Sequence, residues 1–295
     1  MDELSDGDLL EELNRRFQDN KKALHDMVIM NEKIEKLNQK LVESERVKTS
    51  FLSNIRNEIN NPLTAILGMA RQLADPVKDE KTRQLMARMI YTEAFELDFQ
   101  LRNIFVAAEL EAGETGLNTA RVDLAPLVRS VIGSFEHKAR EKSVTVLFRA
   151  ADGENEQVFT SDPEKLRIVL ANLLANAIEF NPPGKHVTIE ARIDGTSLQV
   201  SIADQGAGIP GQERTRLFER FRQLDQGSSK KHKGHGLGLS ITKALVDMLG
   251  GKITVADAPG GGALFQVVIP EAAGAGSDVF SGDGNEFLFE SGSTF

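Results

Sequence analysis

The spacing of apolar residues changes partway along this chain, and that change constrains the fold more than any other feature. Met27, Met30, Ile34, Leu37 and Leu41 follow one another at intervals of three, four, three and four. That is the rhythm of a helix packing along one seam. It weakens at Ser44 and Lys48 and resumes at Phe51 and Ile55. The pattern predicts one long amphipathic helix from Asp8 to about Leu73, paired with a second copy as a parallel coiled coil. Pro62 falls inside it and is expected to kink or loosen the helix, because it removes a hydrogen bond to the Glu58 carbonyl. Ala74-Asp75-Pro76 ends the helix. Met86, Ile90, Phe95, Leu97, Leu101 and Ile104 then mark a second helix from about Thr82 to Glu111. A hairpin of two helices buries little alone, so two copies joined as a four-helix bundle complete it naturally.

Gly113-Glu114-Thr115-Gly116 marks a domain boundary, and beyond it the period falls to two. Val144, Val146 and Phe148 alternate, as do Val187, Ile189 and Ala191, then Leu198, Val200 and Ile202. A further strand is expected around Phe265, Val267 and Ile269. Helical stretches lie at about 123–141, 162–181 and 236–249. Interleaved strands and helices predict an α+β layer, with helices on one face of a mixed sheet. The last residues, 272–295, are rich in Gly and Ser with scattered Phe, and read as a flexible tail or linker.

Composition excludes several functions. A net charge of −9 argues against general nucleic-acid binding. The chain has no cysteine, which removes disulfides, thiolate catalysis and thiol-rich metal sites. No apolar run approaches the ~20 residues that span a bilayer, and Met1 to Asn20 is acidic and polar, unlike a signal peptide. The expectation is a cytoplasmic location, as a soluble protein or a cytosolic fragment.

Three polar elements recur at strand and helix ends in the second half. Asn172 and Asn176 lie four apart on a helix, so both amides project from one face. Paired amide oxygens suit Mg²⁺ beside phosphates, although such a pair also makes an ordinary polar face. Asp204-Gln-Gly206-Ala-Gly208-Ile209-Pro210 follows a strand. Its carboxylate can accept from an exocyclic amine, and its glycines let the backbone approach a flat ring; a plain turn is the alternative. Gly234-His-Gly236-Leu237-Gly238-Leu239-Ser240 feeds a helix N-terminus, a ready phosphate cradle. Lys230, Lys231 and Lys233 precede it, as a solvated charge run or as part of a phosphate-neutralising lid.

In this order the three elements resemble the sensor histidine kinases of two-component systems, over roughly residues 48–270. Ser50 to Leu67 looks like the phosphoacceptor box, Leu170–Asn181 like the N box and Asp204–Ile209 like the G1 box. Leu217-Phe218-Glu-Arg220-Phe221 looks like the F box, and Gly234–Leu239 like the G2 box, with Gly260–Gly262 near the closing strand. The resemblance implies a coiled coil over 1–47, a dimerisation and phosphotransfer domain over 48–116, an ATP-binding α+β sandwich over 117–271 and a tail over 272–295. It also implies that Asn172 and Asn176 help hold Mg²⁺, that Asp204 reads adenine, that the G2 glycines wrap the phosphates and that 211–233 forms the ATP lid. The implied partners are a second copy of the chain and a response regulator receiver domain.

The chain departs from the family at Asn57, where the phosphate-accepting histidine should stand. An amide nitrogen is no useful nucleophile near neutral pH, whereas a neutral imidazole is. His25, His137, His186, His232 and His235 fall outside the acceptor position. Asn60 replaces a common basic residue, and the clustering of changes favours a naturally altered box. Glu179 stands where the family often has a basic residue, and a carboxylate near a triphosphate is repulsive. Glu58 and Asn61 are kept on one helix face, and in the family they serve as base and as orienter of the water that hydrolyses a phospho-aspartate.

These features predict a MgATP-binding signalling protein that does not phosphorylate its own box and acts as regulator phosphatase or docking partner. Two alternatives remain: an active kinase whose acceptor lies elsewhere or on a partner chain, and a non-enzymatic dimeric scaffold. Related ATP-hydrolysing folds such as gyrases and chaperones use a carboxylate base where this chain has Asn172, whose amide cannot take that proton.

Overall fold

A computed structural model describes residues 6–74, 79–150, 157–219, 236–272 and 279–280. The chain forms two compact units, Met1–Asn54 and Ile55–Phe295. Helix α1 spans Asp6–Leu73. In the first unit its apolar residues face outward: Met27, Met30, Ile34, Leu37 and Leu41 are all exposed. In the second unit α1 continues through Pro62, which is buried, without a break.

Helix α2, Glu80–Ala112, starts and stops where its sequence says it should. The Asp79 side chain accepts from the Thr82 main-chain N–H at 2.9 Å and from its hydroxyl at 2.6 Å, a side-chain N-cap. Gly113 ends the helix at φ 68°, in the left-handed region where a side chain would be strained.

A small sheet follows, built from β1 (Ala120–Asp123), β3 (Val158–Ser161) and β8 (Val279–Phe280) in the order β3-β1-β8. β1 pairs antiparallel with β3 and parallel with β8. The stretch expected to be a tail thus contributes a two-residue strand beside β1.

The main sheet has five strands in the order β2-β4-β5-β7-β6: β2 (Thr145–Ala150), β4 (His186–Asp194), β5 (Ser197–Ala203), β7 (Ala263–Pro270) and β6 (Lys252–Asp257). β2 and β4 are parallel and the other pairs antiparallel. Helices α3 (Leu124–Glu141), α4 (Pro163–Phe180) and α6 (Gly238–Met248) pack against the sheet and one another. Alternate strand residues such as Val187, Ile189, Leu198, Ile202, Val267 and Ile269 are buried, which places the core between sheet and helices. This is the α+β layer that the period-two segments predict. Strands β1, β3 and β6 are too short or too weakly alternating to stand out in the sequence.

Two caps fix α4. Asp162 accepts from the Lys165 main chain at 3.0 Å and from the Lys165 ammonium at 2.9 Å, and Pro163 opens the helix. The α2 helix packs on α3 through aromatic rings: Phe135, buried, meets Phe95 at 5.3 Å and Phe99 at 5.4 Å, both edge to face.

Candidate functional site

Asn172 sits in the middle of α4, 2% exposed, and neither Oδ1 nor Nδ2 has a hydrogen-bond partner among the described residues. A buried unpaired amide costs stability, so its retention points to a ligand that completes it. Gly238, the first residue of α6, lies against it: a Cβ there would stand 3.3 Å from Asn172 Oδ1. The N-terminus of α6 carries no side-chain cap. Its free N–H groups and the Asn172 amide therefore share one place, suited to anionic oxygens with a cation. Gly236 precedes it at φ 68°, a conformation that favours glycine. Leu237 is buried, whereas Asn176 and Leu239 are half-buried. The G2-like segment and the N-box-like segment are thus brought together.

Asp204 directly follows β5 and is 6% exposed. The main-chain N–H groups of Gly206 and Ala263 donate to its Oδ1 at 2.9 and 3.0 Å. Both bonds fall on one oxygen, which leaves Oδ2 for an outside donor. Burial pushes this carboxyl above its ordinary value, and the two N–H bonds pull it partly back. Two glycines make the close approach of these segments possible. A Cβ on Gly206 would lie 2.5 Å from the Phe180 carbonyl oxygen, and one on Gly262 2.1 Å from that of Asp204. Gly208, at φ 73°, lies close to the Gly262 carbonyl. The G1-like turn, the end of α4 and the 260–262 turn therefore close around one carboxylate.

Phe218 is half-buried beside the buried Leu217, downstream of the short helix α5, Gly211–Arg214. Arg220, Phe221, Lys230, Lys231, Lys233 and Gly234 lie outside the described residues, as do His232 and His235. Asn57 and Glu58 lie in α1, and Asn61, one turn on, is exposed.

The charge around Glu179 differs from the expected arrangement. Its carboxylate is held by Lys142 at 2.9 Å and Lys138 at 3.7 Å, both from α3. Lys138 and Lys142 carry no motif, and a separation of 37 positions between Lys142 and Glu179 hides the pairing. Asn181, also missed as an individual, follows the N-box-like pair, and its Oδ1 accepts from the Gln205 main chain at 2.7 Å, anchoring the Asp204 turn.

Residues 161–273 match the family described as histidine kinase-, DNA gyrase B-, and HSP90-like ATPase. Residues 47–113 match the His Kinase A (phospho-acceptor) domain. The sensor histidine kinase TmoS of Ectopseudomonas mendocina is 32% identical over 267 residues, covering 90% of this chain and 27% of that protein. The structure of full-length ShkA in complex with AMPPNP aligns with TM-score 0.54 and 30% identity, over 79% of this chain and 47% of the other. That of ThkA in complex with the response regulator protein TrrA aligns with TM-score 0.50 and 25% identity, over 78% of this chain and 64% of the other. Fold and matches define the class: a phosphoacceptor-type helical domain followed by an ATPase-type α/β domain. Through these two domains the chain is similar to sensor histidine kinases. It spans between 16% and 30% of the length of three curated relatives. Among the described residues no helix is long and apolar enough to cross a membrane.

Proposed function

We propose that this chain binds MgATP in the pocket between α4, α6 and the Asp204 turn, and acts on a response regulator receiver domain without phosphorylating its own box. On this reading 48–116 is the dimerisation and phosphotransfer domain, 117–271 the ATP-binding domain, 1–47 a coiled coil and 272–295 a tail. The observation that carries it is the buried Asn172 amide, both polar atoms unpartnered, beside the α6 N-terminus. A bound Mg²⁺ would supply charge neutralisation for the phosphates. Asn172 and Asn176 are the oxygen donors that fit it. Asp204 Oδ2 is placed to accept from the adenine amine, and Gly236 to Gly238 to wrap phosphate oxygens.

Asn57 supports the second half of the reading, because an amide offers no nucleophile. Glu58 and Asn61 remain for a water-directed step on a phosphorylated receiver. The exposed apolar stripe of α1 supports a homodimer: Met27, Met30, Ile34 and Leu37 would otherwise face water.

The test is calorimetric titration with Mg–AMPPNP, in magnesium and in EDTA, followed by the decay of acetyl-phosphate-labelled receiver domains with and without the chain. Saturable magnesium-dependent binding and faster decay are expected. No binding and unchanged decay overturn the reading.

A further inference from the structure

We propose that Lys142 and Lys138 are positioning residues of the nucleotide site: they hold the Glu179 carboxylate so that a polyphosphate can lie on the Asn172 face of α4. The inference rests on the nucleotide reading above and adds two residues of α3 to it.

Glu179 lies seven residues after Asn172 and three after Asn176, so all three share one side of α4. A carboxylate there adds negative charge to a place where the ligand already carries several. The structure meets that charge from the neighbouring helix. Lys142 Nζ donates to the Glu179 carboxylate at 2.9 Å and to its main-chain oxygen at 2.6 Å. Those two contacts pin both the side chain and the end of α4. Lys138 Nζ lies 3.7 Å from the other carboxylate oxygen and 2.5 Å from Glu96 of α2. Lys138 is therefore divided between two carboxylates, and Lys142 is the main partner of Glu179. The Glu179 side chain is only 16% exposed, so water and salt screen the pairing weakly. Without Lys142, the carboxylate would face the polyphosphate with its nearer lysine gone. The lysines thus set how much phosphate the site tolerates, while adenine recognition at Asp204 stays independent of them.

The test is the affinity of the full chain for Mg–AMPPNP and for adenosine, in wild type, Lys142→Met, Lys142→Arg, Glu179→Gln and the Lys142→Met/Glu179→Gln pair. Lys142→Met is expected to weaken Mg–AMPPNP by about tenfold, the size of one unbalanced charge several ångströms away, and adenosine by less than about twofold. Lys142→Arg retains the affinity. Glu179→Gln, which removes that negative charge, binds Mg–AMPPNP at least as tightly as wild type. The double variant returns to within about threefold of wild type. Equal losses for both ligands, or a double variant as weak as Lys142→Met, overturn the proposal. If Lys142→Met does not fold, weaker Mg–AMPPNP binding by Glu179→Gln overturns it. Wild type binding neither ligand fails the nucleotide reading itself and is recognisable as that.

Discussion

Gly262 presses its α-carbon against the main chain of Asp204 so closely that a Cβ there would stand 2.1 Å from the Asp204 carbonyl oxygen. The same turn sends the Ala263 N–H to Asp204 Oδ1 and takes the Asp204 N–H on the Ala263 carbonyl, each at 3.0 Å. The carboxylate is therefore held by backbone that only a glycine permits. Gly262, at φ 96°, is disfavoured for any side chain as well. Gly262→Ala should cost about 2 kcal/mol or more of stability and weaken adenosine binding, read by urea unfolding and calorimetry.

Asp204 trades stability for recognition. Burial raises its carboxyl above the ordinary value, so folding disfavours the ionised form. The stability contributed by this group is fully present below the ordinary carboxyl value and falls as pH rises through the raised native value. Asp204→Asn removes that dependence. Its melting temperature should drop less between acid and neutral pH than that of wild type. Its adenosine affinity should fall by roughly tenfold or more, because the amide offers a donor where the purine amine also donates.

Asn172 makes a similar trade. Its two buried polar atoms have no partner among the described residues, so replacing them with apolar surface of similar size removes a desolvation cost. Asn172→Leu should be at least as stable as wild type, by up to about 1 kcal/mol more in urea unfolding. It should also lose the magnesium dependence of AMPPNP binding.

Phe135 of α3, buried against Phe95 and Phe99 of α2, joins these two helices together with the Glu96–Lys138 pair. Phe135→Ala should cost about 3–5 kcal/mol. Glu96→Gln should cost under about 1 kcal/mol, since that pair remains partly exposed. Comparable losses in both variants would contradict this ranking.

The helical half and the main sheet were legible because their apolar periods run long enough to count: the seam from Met27 to Leu41, and the alternations around Val187 and Leu198. β1 and β3, four residues each, are shorter than any period can declare. The glycine motifs signalled close backbone approach, and Gly206, Gly208 and Gly238 each lie close against other groups of the protein. Lys138 and Lys142 were invisible because their meaning depends on Glu179, which only the packing of α3 on α4 brings to them. Pro62 shows the opposite limit. A local rule predicts disruption, yet α1 continues through it.

On the proposed reading, an intact nucleotide site is combined with an acceptor position, Asn57, that cannot accept. Incorporation of γ-phosphate label from MgATP into wild type and into Asn57→His, side by side, tests it most directly. Acid-labile label on Asn57→His alone is the predicted result. Label on wild type at a comparable level, or on neither protein, would contradict it.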